Sequence, residues 1–181
     1  MSSLSVYHLS TPDIPNKVLT HVEDIASTLA EHGVRFERWQ ATTPIKPGAS
    51  QQEVIAAYQG QIDQWMTEGG YRNVEVISVH GEQPQKAELR AEHLEEQRHG
   101  KDEIRLFVAG RGLLNLHIED YVYAVLCEKH DLISVPAGTV HWLDVGEDPR
   151  VVVIRLFNDA EGGVENFTSE DIASRFPGLD D

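Results

Sequence analysis

From Glu103 onward the chain is a succession of short apolar runs broken at close intervals by turn residues, and this rhythm constrains the fold more than any other feature. The runs are Ile104 to Val108, Leu113 to Ile118, Tyr121 to Cys127, Leu132 to Val135 and Val151 to Phe157. Between them stand Gly110-Arg111-Gly112, Glu119-Asp120, Lys129-His130-Asp131 and Pro136-Ala137-Gly138. Quick alternation of strand-length runs with turn chemistry is the signature of a β-meander, and many such strands close into a barrel or a sandwich. Arg111 between two glycines reads as part of a hairpin turn.

The first half has a different period. Thr20 with Glu23 forms a capping-box signature ahead of Val22, Ile25, Ala26 and Leu29, and Gly33 ends that helix. Ser50 with Glu53 repeats the signature ahead of Val54, Ile55, Tyr58, Ile62 and Trp65, stopped by Gly69-Gly70. Apolar stripes of this kind pack a helix onto a sheet. Val74 to Val79 is expected to be a strand, Gln83 to Glu96 a third helix, and Thr168 with Asp171 the cap of a short last helix ending before Pro177. The expectation is one α+β domain over 1–181, mainly β with flanking helices. Its helical part covers about 1–97 and its barrel core about 72–160.

A chain of 181 residues can bury one proper core and is slightly short for two. Its formal net charge of -15 argues against nucleic acid, since phosphate backbones are met by clustered Lys and Arg. The single cysteine, Cys127, cannot form an internal disulfide, and the N-terminus carries no leader of signal-peptide type. No apolar stretch approaches the roughly twenty residues of a membrane helix. A soluble cytoplasmic monomer is expected, acting on a small molecule and bound to neither nucleic acid nor membrane.

Against this β background, His99 and Glu103 precede the meander, and His141 follows the bend at Pro136-Ala137-Gly138. Gln97, His99 and Glu103 share a strand parity that aims them to one side. A Pro-x-Gly-x-x-His turn can return His141 beside them. Two imidazoles and a carboxylate suit a divalent first-row metal, and this set serves oxygen-activating ferrous iron in other folds. The plainer alternative makes these residues ordinary polar groups at strand ends. The carboxylate at this spacing, together with the downstream turn, favours the metal. His8, His21, His32, His80, His117 and His130 read as structural or surface groups, Cys127 as an inert buried thiol, and Trp142, Tyr121 and Tyr123 as packing.

Gln97-x-His99-x3-Glu103-x6-Gly110 and Pro136-x-Gly138-x-x-His141 resemble the two cupin motifs, which implies a jelly-roll β-barrel with a metal at its mouth. Gly33 to Trp39, Asp102 to Arg105 and Leu126 to Ala137 are similar to bacterial acireductone dioxygenases, and the likeness covers nearly the whole chain. The resemblance implies cleavage of the acireductone 1,2-dihydroxy-3-keto-5-methylthiopentene by dioxygen in methionine salvage. An iron form gives 2-keto-4-methylthiobutanoate and formate; a nickel form gives methylthiopropionate, carbon monoxide and formate. It implies His99, Glu103 and His141 as metal ligands, Glu96 as an acidic neighbour in metal loading and Arg105 beside the substrate.

Three departures accompany the likeness. The family's first ligand histidine falls on Gln97, whose amide oxygen is a weaker neutral donor, so Fe2+ is the favoured ion and Ni2+ the alternative. Substrate-facing aromatic positions fall on His93, Leu143 and Gly163. His93 is expected on the surface of the third helix, a turn away from the metal. Two other functions stay open: turnover of another small enediol or diketone, and a metal- or ligand-binding cupin without turnover.

Overall fold

The fold is that of a computed structural model, which describes residues 2–94, 97–98, 102–158, 166–167 and 172–180. The strands among them are β1 (Ser3–His8), β2 (Lys17–Leu19), β3 (Phe36–Arg38), β4 (Asn73–His80), β5 (Gln97–Arg98), β6 (Glu103–Ile118), β7 (Tyr121–Glu128), β8 (Asp131–Val135), β9 (Val140–Asp144), β10 (Arg150–Phe157) and β11 (Asn166–Phe167). The helices are α1 (Val22–Ala30), α2 (Gln51–Ala57), α3 (Gln59–Gly69) and α4 (Lys86–Leu94), and Ala173–Arg175 forms a 3-10 turn.

Two antiparallel sheets share β6 and curl over a common interior. One runs β11-β5-β9-β6-β7-β1-β2; in the other, β10 joins β4 to β6, and β8 joins β3 to β6. β6 belongs to both because it turns a corner at Gly110. Its first half pairs with β10 and β8, its second half with β7 and β9. Gly110-Arg111-Gly112 is therefore not a hairpin turn but the point where a single strand changes sheets, marked by a register shift opposite Val152/Val153. Gly110 has φ 68°, and a Cβ there would sit 1.6 Å from the Arg150 carbonyl oxygen, so only glycine lets the strand bend so close to β10.

The strands are apolar throughout because both faces are covered. Val151 and Val153 of β10 pack inside the barrel with Phe107, Ile133 and Leu143. Val152, Ile154 and Leu156 point the other way, under Val54, Tyr58 and Ile62 of the α2–α3 region. On the second sheet, Trp142, Val122 and Ala124 face outward beneath Phe176 near the C-terminus. This is the opposite-face packing expected of Trp142, and Cys127 is fully buried.

Several elements differ from the sequence expectation. The N-terminal part contributes β1 to β3 as well as helices, with β1 paired along its full length to β7. The Thr20 cap does not form: α1 starts after His21, which offers no side-chain cap. The Ser50 cap does form, its hydroxyl accepting from the Glu53 N–H at 3.2 Å. The second helix divides at Tyr58, whose backbone leaves the helical region, and Gly70 ends α3 in the left-handed conformation. Tyr123 is buried, whereas Tyr121 is exposed and meets the His8 ring edge-on. The Thr168 and Asp171 cap lies outside the described residues.

Candidate metal centre

Strand alternation puts Glu103, Arg105 and Phe107 on the interior side of β6, and Arg155 shares the interior parity of Val151 and Val153 on β10. Register places Arg155 between Arg105 and Glu75 across three neighbouring strands. Two like charges directly opposite each other repel. Here carboxylates separate them. Arg105 donates to Glu103 Oε1 through Nε at 3.0 Å, with Nη2 also 3.0 Å from that oxygen, while Arg155 Nε donates to Oε2. Arg155 Nη1 holds Glu75 at 3.1 Å. Glu103, Arg105 and Arg155 are 0%, 3% and 2% exposed, so the cluster sits inside the barrel.

His141 enters from β9. The bend before it is closed by the Thr139 N–H bonding the Pro136 carbonyl, with Gly138 at φ 78°. The Ala137 N–H also bonds Asp102 Oδ1 at 2.7 Å, which ties this bend to the start of β6. His141 Nδ1 meets the Thr139 carbonyl at 2.9 Å. A carbonyl only accepts, so Nδ1 carries the proton and Nε2 presents its lone pair. That nitrogen faces Glu103 Oε1 at 3.9 Å.

Gln97 lies on β5, in register with His141 on β9. It is 3% exposed, and its Oε1 is buried with no hydrogen-bond partner among the described residues. The structure thus brings together Gln97, Glu103, Arg105 and His141 of the residues singled out in the sequence. His99 and Glu96, like Gly163, lie outside the described residues. Leu143 is buried inside the barrel, two residues along β9 from His141.

His93 is not on the helix surface. It is 8% exposed, on the face of α4 that packs against β9 and β4. Burial, reinforced by the positive charges of Arg105 and Arg155, lowers its pKa to about 4, so the ring is neutral near pH 7. Arg155 and Glu75 had no place in the sequence-derived site. The signal for Arg155 was present: one charge inside an apolar run, at interior parity.

These donors suit a divalent cation. An imidazole lone pair, a carboxylate oxygen and an amide oxygen that has no donor among the described residues lie on neighbouring strands in a buried interior, where acceptors that face one another are unfavourable unless a cation lies between them. The Thr139 carbonyl supplies the partner that a metal-bound histidine needs on its far nitrogen.

The model of the ARD/ARD' family matches residues 6–165. An acireductone dioxygenase of Pseudomonas syringae pv. syringae is 73% identical over 181 residues, which is the whole of both chains. One from Pseudomonas aeruginosa is 65% identical over the same span. The solved structure of an acireductone dioxygenase from Bacillus anthracis, with a cadmium ion in its active centre, superposes with a TM-score of 0.77 at 27% identity, covering 92% of this chain and 98% of that one. Its barrel is the cupin-type jelly roll, and the fold here is the same. With a family model spanning most of its length and full-length relatives at this identity, the chain belongs to the ARD/ARD' family, the acireductone dioxygenases.

Proposed function

We propose that this protein cleaves the acireductone 1,2-dihydroxy-3-keto-5-methylthiopentene with dioxygen in methionine salvage, using Fe2+ held by His99, Glu103 and His141. The observation that carries the reading is the lone pair of His141 Nε2 set against Glu103 Oε1 at 3.9 Å, in an interior clamped by two arginines. Gln97 Oε1 is the fourth donor in this account, and Glu96 assists metal loading. A neutral amide oxygen in place of an imidazole disfavours nickel more than iron. A divalent ion held by these residues would supply Lewis-acid and templating chemistry for the substrate.

The chain's own residues prepare that reaction. Arg105 and Arg155 fix the Glu103 carboxylate in one orientation and balance its charge. Arg105 Nη1 is buried without a partner among the described residues, and this open donor donates to the anionic enediolate as its negative charge develops. Thr139 holds the His141 tautomer. Leu143 and the apolar barrel wall exclude water from the substrate chain. The protein acts as a cytoplasmic monomer in this reading. Among the described residues, no helix is long and apolar enough to cross a membrane.

The test is oxygen-dependent loss of acireductone absorbance by protein loaded separately with iron and with nickel. Turnover is expected, faster in the iron form. Silence in both forms with metal bound refutes the proposal.

A further inference from the structure

The outer face of the sheet that holds β1, β7 and β9 carries a cavity that the metal centre does not use. On β1, Leu4 and Val6 point into the core, so Ser3 and Ser5 point outward. On the second half of β6, Leu114 and Leu116 point inward and leave Arg111 and Leu113 outside. Register joins these strands through β7, with Ser3 opposite Leu126, Leu126 opposite Leu113 and Ser5 opposite Ala124. The result is a floor of Leu113, Ala124 and Leu126 flanked by two hydroxyls and one guanidinium.

The C-terminal segment roofs this floor without filling it. Phe176 meets the Tyr7 ring edge-on at 5.8 Å between centroids, and the Leu179 N–H donates to Asp144 Oδ2 at 2.8 Å. Asp180 Oδ2 is engaged by the Glu147 N–H at 2.8 Å. Anchored at both ends, residues 177–179 stand over the floor and leave a cavity of about 170 Å³. At roughly 30 Å³ for each water, that space takes about six, or a ligand of about six to eight non-hydrogen atoms.

Its polar groups are uncommitted. The side chains of Arg111, Ser3 and Ser5 make no hydrogen bond or ion pair with any described residue; Arg111 is exposed at the rim and the serines are half-buried. Acids outnumber bases 30 to 15 in this chain, yet no carboxylate among the described residues has paired with Arg111. Glu128, opposite it in register, lines a separate depression with Arg38 and His21. A cation and two hydroxyl donors beside an apolar floor fit a carboxylate with a short apolar tail. Phosphate would leave the floor unused, and an amine would be repelled by the guanidinium.

We infer that this cavity is a binding site for short-chain monocarboxylates, separate from the metal centre, with the carboxylate on Arg111, Ser3 and Ser5 and the tail on Leu113, Ala124 and Leu126. The 2-keto acid of the proposed reaction belongs to this class, although the site is defined by the cavity and holds without turnover.

Butanoate is titrated into the metal-loaded protein labelled with 15N, and the Arg111 Nε–H and the amides of Ser3, Ser5 and Leu126 are followed. A Kd on the order of 1 mM is expected, the range open to so small a ligand. Affinity is expected to rise roughly threefold per methylene from acetate to butanoate, because each one is buried on the floor. Arg111→Gln is expected to weaken binding at least about fivefold, the loss of one charge-assisted hydrogen bond. Ser5→Leu, which fills the cavity from the opposite side, is expected to abolish binding, and it decides the question should Arg111→Gln fail to fold. Butylammonium is expected to shift nothing. Shifts confined to β5 and β9 overturn the inference, since they put the carboxylate at the metal centre. So do binding unchanged by either variant, an affinity indifferent to tail length, equal binding of butylammonium, and the absence of any shift at about 20 mM butanoate.

Discussion

Replacing Glu103 by glutamine removes one negative charge and almost no volume, which makes it a clean probe of the arginine clamp. In the native interior two guanidinium groups face two carboxylates, Glu103 and Glu75, and the four charges balance. In Glu103→Gln the Arg105 guanidinium, 3% exposed, has no carboxylate left and stands opposite Arg155 in register. Removing one partner of a buried pair costs about 3–5 kcal/mol; the amide oxygen still accepts one bond, so the low end, about 3 kcal/mol, is expected. With a urea m-value of about 2 kcal/mol/M, the midpoint falls by about 1.5 M. The assay is urea unfolding of metal-free protein in chelator, which separates the clamp from any loss of metal. Adding Arg105→Met to Glu103→Gln removes the stranded charge and should recover at least half of the loss. A midpoint within about 0.3 M of wild type for Glu103→Gln would refute the reasoning. Glu75, 39% exposed, serves as the control: Glu75→Gln should cost under about 1 kcal/mol because water screens it.

Gln97→His should tighten nickel binding roughly tenfold or more and raise nickel-form activity, read by competition against a metal indicator and by the acireductone assay; no change in either would place Gln97 away from the metal. Asp144 is 1% exposed, and burial pushes its carboxyl up, yet the bonds from Arg90 and from the Leu179 and Gly146 N–H groups outweigh burial and hold it below the ordinary range. The stability it contributes is present above its unfolded pKa of about 3.9 and is lost as pH falls through its lower folded value. Protection of the Leu179 amide, taken relative to its intrinsic exchange rate, should therefore fall only in that acidic window in wild type, and at every pH in Asp144→Asn. His93 has linkage of the same sign over a higher window. Its folded pKa of about 4 lies below the ordinary imidazole value of 6.5, so the unfolded chain binds the extra proton and stability rises with pH between those limits. In His93→Phe that part of the slope should vanish from urea midpoints measured across the interval.

Much of the barrel was legible because its strands lie between two covered faces and so appear as continuous apolar runs. Val151 to Phe157 and Val74 to Val79 fall within one residue of β10 and β4. Ser50 capped its helix because that bond is local. The failures share a cause, which is distance in sequence. β1 exists through its pairing with β7, and its alternation of serine with apolar residues is too short to announce a strand by itself. Gly110 was misread because a hairpin and a sheet-changing corner both call for glycine at positive φ; only the Arg150 carbonyl, forty residues away, separates them. His93 was assigned to the surface because helical patterning counts imidazole as polar, whereas the guanidinium groups it faces come from β6 and β10. The bond from His141 Nδ1 to the Thr139 carbonyl involves the backbone and leaves no mark on side-chain pattern.

The central claim is that β5, β6 and β9 deliver an amide, a carboxylate and an imidazole to one cation. Anomalous scattering at the metal edge from crystals of the iron-loaded protein tests it most directly. The account predicts a single peak about 2.0–2.2 Å from both His141 Nε2 and a Glu103 carboxylate oxygen, with Gln97 Oε1 turned toward it. A peak elsewhere, or bound iron leaving His141 and Glu103 untouched, contradicts it.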